Sequence, residues 1–156
     1  MTDRIISVRG RSLVDVPKPF TYVGRGAGGW HASPLGNPNR VTRESGRRAA
    51  VAGYAIHLVD HSELIDLIVR LALADAGSQD PHRTFGCWCA PKLCHAEVVA
   101  DIYDHARSGM VLTDVLADRC RLLSTWIEFG GRYPFQEPPD PVGAVREPTP
   151  LPLVGV

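Results

Sequence analysis

Phe85-Gly86-Cys87-Trp88-Cys89-Ala90-Pro91-Lys92-Leu93-Cys94-His95 carries three of the four cysteines of the 156-residue chain. The stretch reads as the end of a buried strand, a short proline-containing turn and the first turn of a helix. Side chains alternate across a strand, so Cys87 and Cys89 are expected on one face and Trp88 on the other. Pro91 is incompatible with a continuing central strand and stops it near Cys89 or Ala90. After the turn, Val98, Val99, Ile102, Tyr103 and Ala106 recur at helical spacing, with Glu97, Asp101 and Asp104 on the other side. Cys94 and His95 then fall at or near a helix N-terminus. Junctions of this kind are where open α/β sheets place their ligands.

Three chemistries compete for this stretch. Cys87, Cys89, Cys94 and His95 supply the three-sulfur, one-nitrogen set that zinc accepts, although zinc knuckles usually carry Cys-x-x-Cys rather than Cys-x-Cys. Alternatively, the helix N-terminus lowers the pKa of Cys94 and makes it a nucleophile, with His95 as its base. The third option is plain packing, since cysteine is among the most buried residue types.

Upstream, Phe20 to Val23 is a strand candidate rich in aromatic and β-branched residues. It runs into Gly24-Arg25-Gly26-Ala27-Gly28-Gly29-Trp30. The spacing of Gly24, Gly26 and Gly29 matches a dinucleotide loop formally, but such a loop must open into a helix. Trp30-His31-Ala32-Ser33-Pro34-Leu35-Gly36-Asn37-Pro38-Asn39 cannot be one. The segment is instead expected as an extended loop whose glycines permit close approach to a ligand, and long ordered loops are often functional. Arg25 within it, and Arg40, Arg43, Arg47 and Arg48 after it, are candidate clamps for phosphate or carboxylate groups. Charge runs are more commonly solvated helix starts, the reading favoured for Arg43 and Arg48.

The remaining chain is mostly helical in pattern. Residues 4 to 8 form a short β-type run. A helix is expected from about Glu44 to Asp60, and a second from Ser62, as N-cap, to about Ala76, ended by Gly77. Asp80-Pro81-His82 is a turn, and the strand is expected over Thr84 to Cys89. A helix follows from Cys94 to Arg107. A last helix runs from Met110 to Phe129, with Cys120 in its core face. After Gly130-Gly131 the chain becomes proline-rich, and residues 131 to 156 are expected as an extended or disordered tail beside a compact domain of residues 1 to 130.

Composition excludes several classes. Apolar residues are 44% and charged residues 22%, ordinary for a globular domain. Lys plus Arg and Asp plus Glu both number 17, so no bulk charge draws the chain to nucleic acid or membrane. There is no membrane-length apolar run and no signal peptide at the start. Clustered rather than scattered cysteines predict a reducing, cytoplasmic location.

Tyr22-Val23-Gly24-Arg25, Trp30, Gly36-Asn37-Pro38, Tyr54 and Leu58, then Cys87-Trp88-Cys89-Ala90-Pro91 and Cys94-His95 together resemble a bacterial and phage family, the domain of unknown function numbered 4326. The resemblance covers about residues 4 to 107. Asn39 stands where the family tends to have Phe, and Ala96 where it tends to have Gly. The resemblance supplies no activity. It implies that the glycine–Asn-Pro loop and the Cys-His turn face one site.

The expected fold is α/β: a small, mostly parallel three-stranded sheet flanked by about four helices in one domain. The expected site lies at strand carboxyl ends. Gly24, Arg25, Gly26, Trp30, Asn37 and Trp88 would bind a small anionic or nucleotide-like ligand, the backbone N–H groups and Arg25 holding the anion and a tryptophan stacking a base. Cys94 and His95 are the candidate catalytic pair. The rival expectation is a zinc-stabilised interaction module without catalysis, with a protein partner or a second copy on the 110–129 helix. Nucleic acid ranks third.

Overall fold

The computed structural model describes residues 4–43, 46–79 and 83–135. The turn at 80–82, the tail from 136 onward and the helix start at Glu44 lie outside the described residues. The elements in chain order are β1 (Ile5–Ser7), β2 (Phe20–Tyr22), α1 (Gly46–Asp60), α2 (Ser62–Asp75), β3 (Thr84–Cys87), α3 (Ala96–Arg107) and α4 (Thr113–Glu128). The three strands form one parallel sheet in the order β1-β3-β2. This is the expected α/β architecture.

Strand β3 is central, and all four of its residues are buried. Ile6 and Tyr22 both register with Gly86. A Cβ on Gly86 would meet Phe20 at 2.4 Å and Val8 at 2.7 Å, so the two neighbours close over the strand only because that position has no side chain. Phe85 is fully buried and meets the edge of Tyr103 from α3 at 5.3 Å. Parallel strands need crossovers, and α1 with α2 carries the chain from β2 to β3. Helix α3 lies against β3 and β1, α2 against α3, and α1 against α4. Ile65 and Ile68 of α2, Ile102 of α3 and Leu116, Leu123 and Ile127 of α4 are fully buried in the shared core. Cys120 packs among them, and burial pushes its thiol up to about 12. No helix among the described residues is long and apolar enough to cross a membrane.

Helix α3 departs from the pattern its sequence suggests. Glu97 and Asp101 sit on its polar side, yet they are only 3% and 4% exposed. Each carboxylate is taken by an arginine from elsewhere. Arg119 of α4 binds Asp101 bidentately at 2.8 and 2.7 Å. Arg132 donates to Glu97 at 2.6 Å, and the Tyr133 backbone N–H donates to its other oxygen at 3.1 Å. Arg4 pairs with Asp104, which also accepts from the Tyr133 hydroxyl at 2.6 Å. Helix periodicity reports which residues are charged, not whether a partner will bury them. These contacts fold residues 131–135 back against α3, beyond the domain edge expected at 130.

The element ends also shift. The strand stops at Cys87 rather than Cys89, and helix α3 begins at Ala96 with His95 as N-cap. His61, not Ser62, is the N-cap of α2, and it makes no side-chain capping bond.

Two outcomes test this packing. Arg119→Ala leaves Asp101 buried without its partner and should cost about 3–5 kcal/mol in urea unfolding, with Arg119→Ala/Asp101→Leu recovering part of it. Arg83 holds Asp75 below the usual carboxylate range through a bidentate pair at 2.7 and 2.9 Å. A depressed folded-state pKa adds stability that is complete above about pH 4 and is lost as pH falls further. Asp75→Asn should therefore flatten the acid limb of a stability–pH curve.

Candidate functional site

Beyond Cys87 the chain reverses in a tight turn. The Lys92 N–H donates to Cys89 O at 3.0 Å, and the Glu97 N–H donates to Cys94 O at 3.0 Å as α3 starts. Leu93 is buried beneath the turn. The reversal returns Cys89 and Cys94 to the end of β3, and the three Sγ atoms of Cys87, Cys89 and Cys94 lie within 4.8 Å of one another. All are free thiols. Strand alternation does not place Cys89, because the strand has already ended; the turn does.

His95 completes the group. Its Nε2–H donates to Val23 O at 2.5 Å, and Nδ1 lies 3.8 Å from Sγ of both Cys87 and Cys94. The carbonyl fixes the tautomer and leaves the Nδ1 lone pair facing the sulfurs. Burial holds the imidazole below its usual pKa. The edge of the buried Tyr54 ring closes the other side at 4.9 Å.

The three thiols share charge unequally. Hydrogen bonds from the Cys87 and Cys94 thiols, helped by Arg47, lower the pKa of Cys89. Donating to Cys89 raises Cys87, and hydrogen bonding to Cys87 and Cys89 together with burial raises Cys94. This reverses the expectation that the helix start would activate Cys94. Cys94 is 1% exposed, whereas Cys89 is half-buried.

The glycine segment is a small hairpin. Ala27 and Trp30 exchange backbone hydrogen bonds of 3.1 and 2.9 Å around Gly28 and Gly29, whose φ values are +53° and +85°. Two successive left-handed residues form the primed turn that favours glycine at both positions. The Trp88 ring occupies the space where a Gly28 side chain would stand. Further along, the Asn37 amide donates to Ala50 O at 2.9 Å and its carbonyl accepts from the Asn39 N–H at 2.9 Å. Asn37 thereby ties the loop to α1.

Between these segments lies a cavity of about 240 Å³. Gly24, Arg25, Gly26 and Asn37 line it from the loop side. Cys87, Trp88, Cys89, Cys94 and His95 line it from the turn side. Trp30 lies outside. It stands against Phe20 at 5.6 Å and Tyr22 at 5.0 Å, in a second hollow beside β2, with its indole N–H on Arg11 O at 3.2 Å. Arg47, one of the arginines considered as clamps, enters the cavity wall. Helical spacing carried the signal, because Arg47 precedes the buried Ala50, Val51 and Tyr54 by three, four and seven residues. Arg48 faces away and donates to Ile127 O at 2.9 Å, closing the end of α4.

These features define a small parallel α/β domain with a thiol-, imidazole- and guanidinium-lined cavity at its strand ends. The chain belongs to the family described as Domain of unknown function (DUF4326), whose profile matches residues 6–105 and so spans every residue of the cavity. No curated protein and no solved structure matches the chain.

The charge distribution predicts an order of reactivity. In metal-free folded protein, iodoacetamide at neutral pH should modify Cys89 first and leave Cys94 and Cys120 largely intact, as read by peptide mass mapping. Preferential labelling of Cys94 would restore the activated-nucleophile assignment.

Proposed function

We propose that this DUF4326 chain binds a small phosphate-bearing, nucleotide-like molecule in the cavity at the ends of β2 and β3. One observation carries the reading: the guanidinium-bearing residues Arg25 and Arg47 and the backbone of the Gly24–Gly26 loop line one cavity. Arginine and backbone N–H groups are the usual holders of phosphate oxygens. The cavity is smaller than the roughly 300–1,000 Å³ that drug-sized ligands fill, which suits one phosphorylated part of a molecule more than a whole dinucleotide. Trp88 is the aromatic face within reach of a base, and Trp30, in the neighbouring hollow, is not. In this reading Cys94 and His95 act as buried structural or metal-binding groups rather than as nucleophile and base, and no reaction is assigned. The four free thiols suit a reducing cytoplasm.

A second reading is a zinc-stabilised interaction module that works through α4. Val115 and Leu122 of that helix and Phe129 at its C-cap are exposed at seven-residue spacing. A second copy of the chain is the occupant this stripe suits, and Leu122→Glu would then convert a dimer to a monomer in light scattering.

Titration calorimetry with AMP and with inorganic phosphate tests the first reading. Binding of either should weaken about 10- to 100-fold in Arg25→Ala and in Arg47→Ala, the loss of one charge-assisted hydrogen bond. Absence of heat and of thermal shift with both compounds, in folded parent protein, would overturn it.

A further inference from the structure

We infer that Sγ of Cys87, Cys89 and Cys94 and Nδ1 of His95 form a closed four-ligand zinc centre that fixes the Val23–Arg25 segment. The metal then shapes the ligand cavity from its wall, without offering the ligand a coordination position. The coupling to the cavity rests on the ligand reading above; the metal centre itself does not.

Distances support the ligand set. Tetrahedral zinc, with bonds of about 2.3 Å to sulfur and about 2.1 Å to nitrogen, has S–S edges near 3.8 Å and S–N edges near 3.6 Å. The three sulfurs lie within 4.8 Å of one another, and Nδ1 is 3.8 Å from those of Cys87 and Cys94; it stands outside the close group and reaches Cys89 by a small closure on loading. Among the described residues no other group of three or more His, Cys, Asp or Glu side chains converges so closely. The histidine is already in the form a metal needs. Its Nε2–H is engaged by a backbone carbonyl, the outer contact that orients a ligating imidazole. Buried cysteines packing as hydrophobes would not need that lone pair turned towards them.

Charge supports it as well. Three thiolates and a neutral imidazole around Zn²⁺ leave one negative charge. Arg25 and Arg47 line the same cavity as the four ligands. Loading releases the thiol protons to solvent.

Four protein ligands leave no position for water or substrate, the mark of a structural rather than a catalytic zinc site. All four ligands line the cavity, and His95 also ties the centre to its loop side. Val23 accepts from His95 and donates its N–H to Gly86 O at 3.0 Å, and the next two residues, Gly24 and Arg25, form the cavity wall.

The test uses untagged full-length chain purified without chelator. Mass spectrometry should find about one zinc per chain, and folded protein with less than about a tenth of that would overturn the centre. Since Cys→Ser variants risk misfolding, His95→Cys provides a second check. It retains the metal and, loaded with cobalt, shows stronger thiolate-to-metal charge transfer than the parent; an unchanged spectrum removes His95 from the ligand set. Adding AMP to the cobalt form of the parent should leave its bands unmoved, and a shift would show an open position. Removing the metal should weaken AMP binding about tenfold or more. Equal binding with and without metal overturns the coupling. Binding by neither form overturns the ligand reading and the coupling together, while the zinc count still decides the centre.

Discussion

The hydrogen bond from His95 Nε2 to Val23 O joins positions 72 residues apart and holds the site together. One end is the residue where β2 gives way to the glycine hairpin. The other is the residue where the Cys turn gives way to α3. Central strand β3 makes the meeting possible, because it pairs in parallel with β2 and delivers both carboxyl ends to the same edge. The buried imidazole is held by that carbonyl. Misplacing either chain segment would leave a polar group unsatisfied in the interior, a cost of about 1–3 kcal/mol.

The same economy of polar groups governs α3. A helix buried almost all round usually carries apolar residues there, yet this one keeps Glu97, Asp101 and Asp104. Each carboxylate draws in an arginine from a distant segment: Arg132, Arg119 and Arg4. Ionic pairs of this kind add little net stability over apolar packing, but breaking one is costly. They therefore act mainly as registration marks, fixing α4, β1 and residues 131–135 against one helix.

Much of this was legible in the sequence, for reasons that differ by element. Apolar periodicity and the Pro91 break marked all four helices and the central strand. The grouping of Gly24, Arg25, Asn37 and the Cys-His turn at one cavity followed from strand ends and the family resemblance. Pairing partners were not legible. Nothing in the 94–107 stretch says that Arg119 and Arg132 cover its acids. The lowered pKa of Cys89 depends on three sulfurs and Arg47 meeting in space, which a helix-dipole argument applied to Cys94 alone does not include. Trp30 stands in the second hollow against Phe20 and Tyr22, a packing that the glycine spacing does not announce.

Helix α4 has a bearing on how this domain can be inherited. It begins after the stretch that carries the family likeness, at Thr113 against residue 105. Yet Leu116, Cys120, Leu123 and Ile127 fill the core that α1 faces, and Arg48 of α1 caps its end. The unit of likeness is thus smaller than the unit of folding. A recombination event that moved the matched segment alone would carry the whole cavity and leave behind the helix that keeps α1 dry.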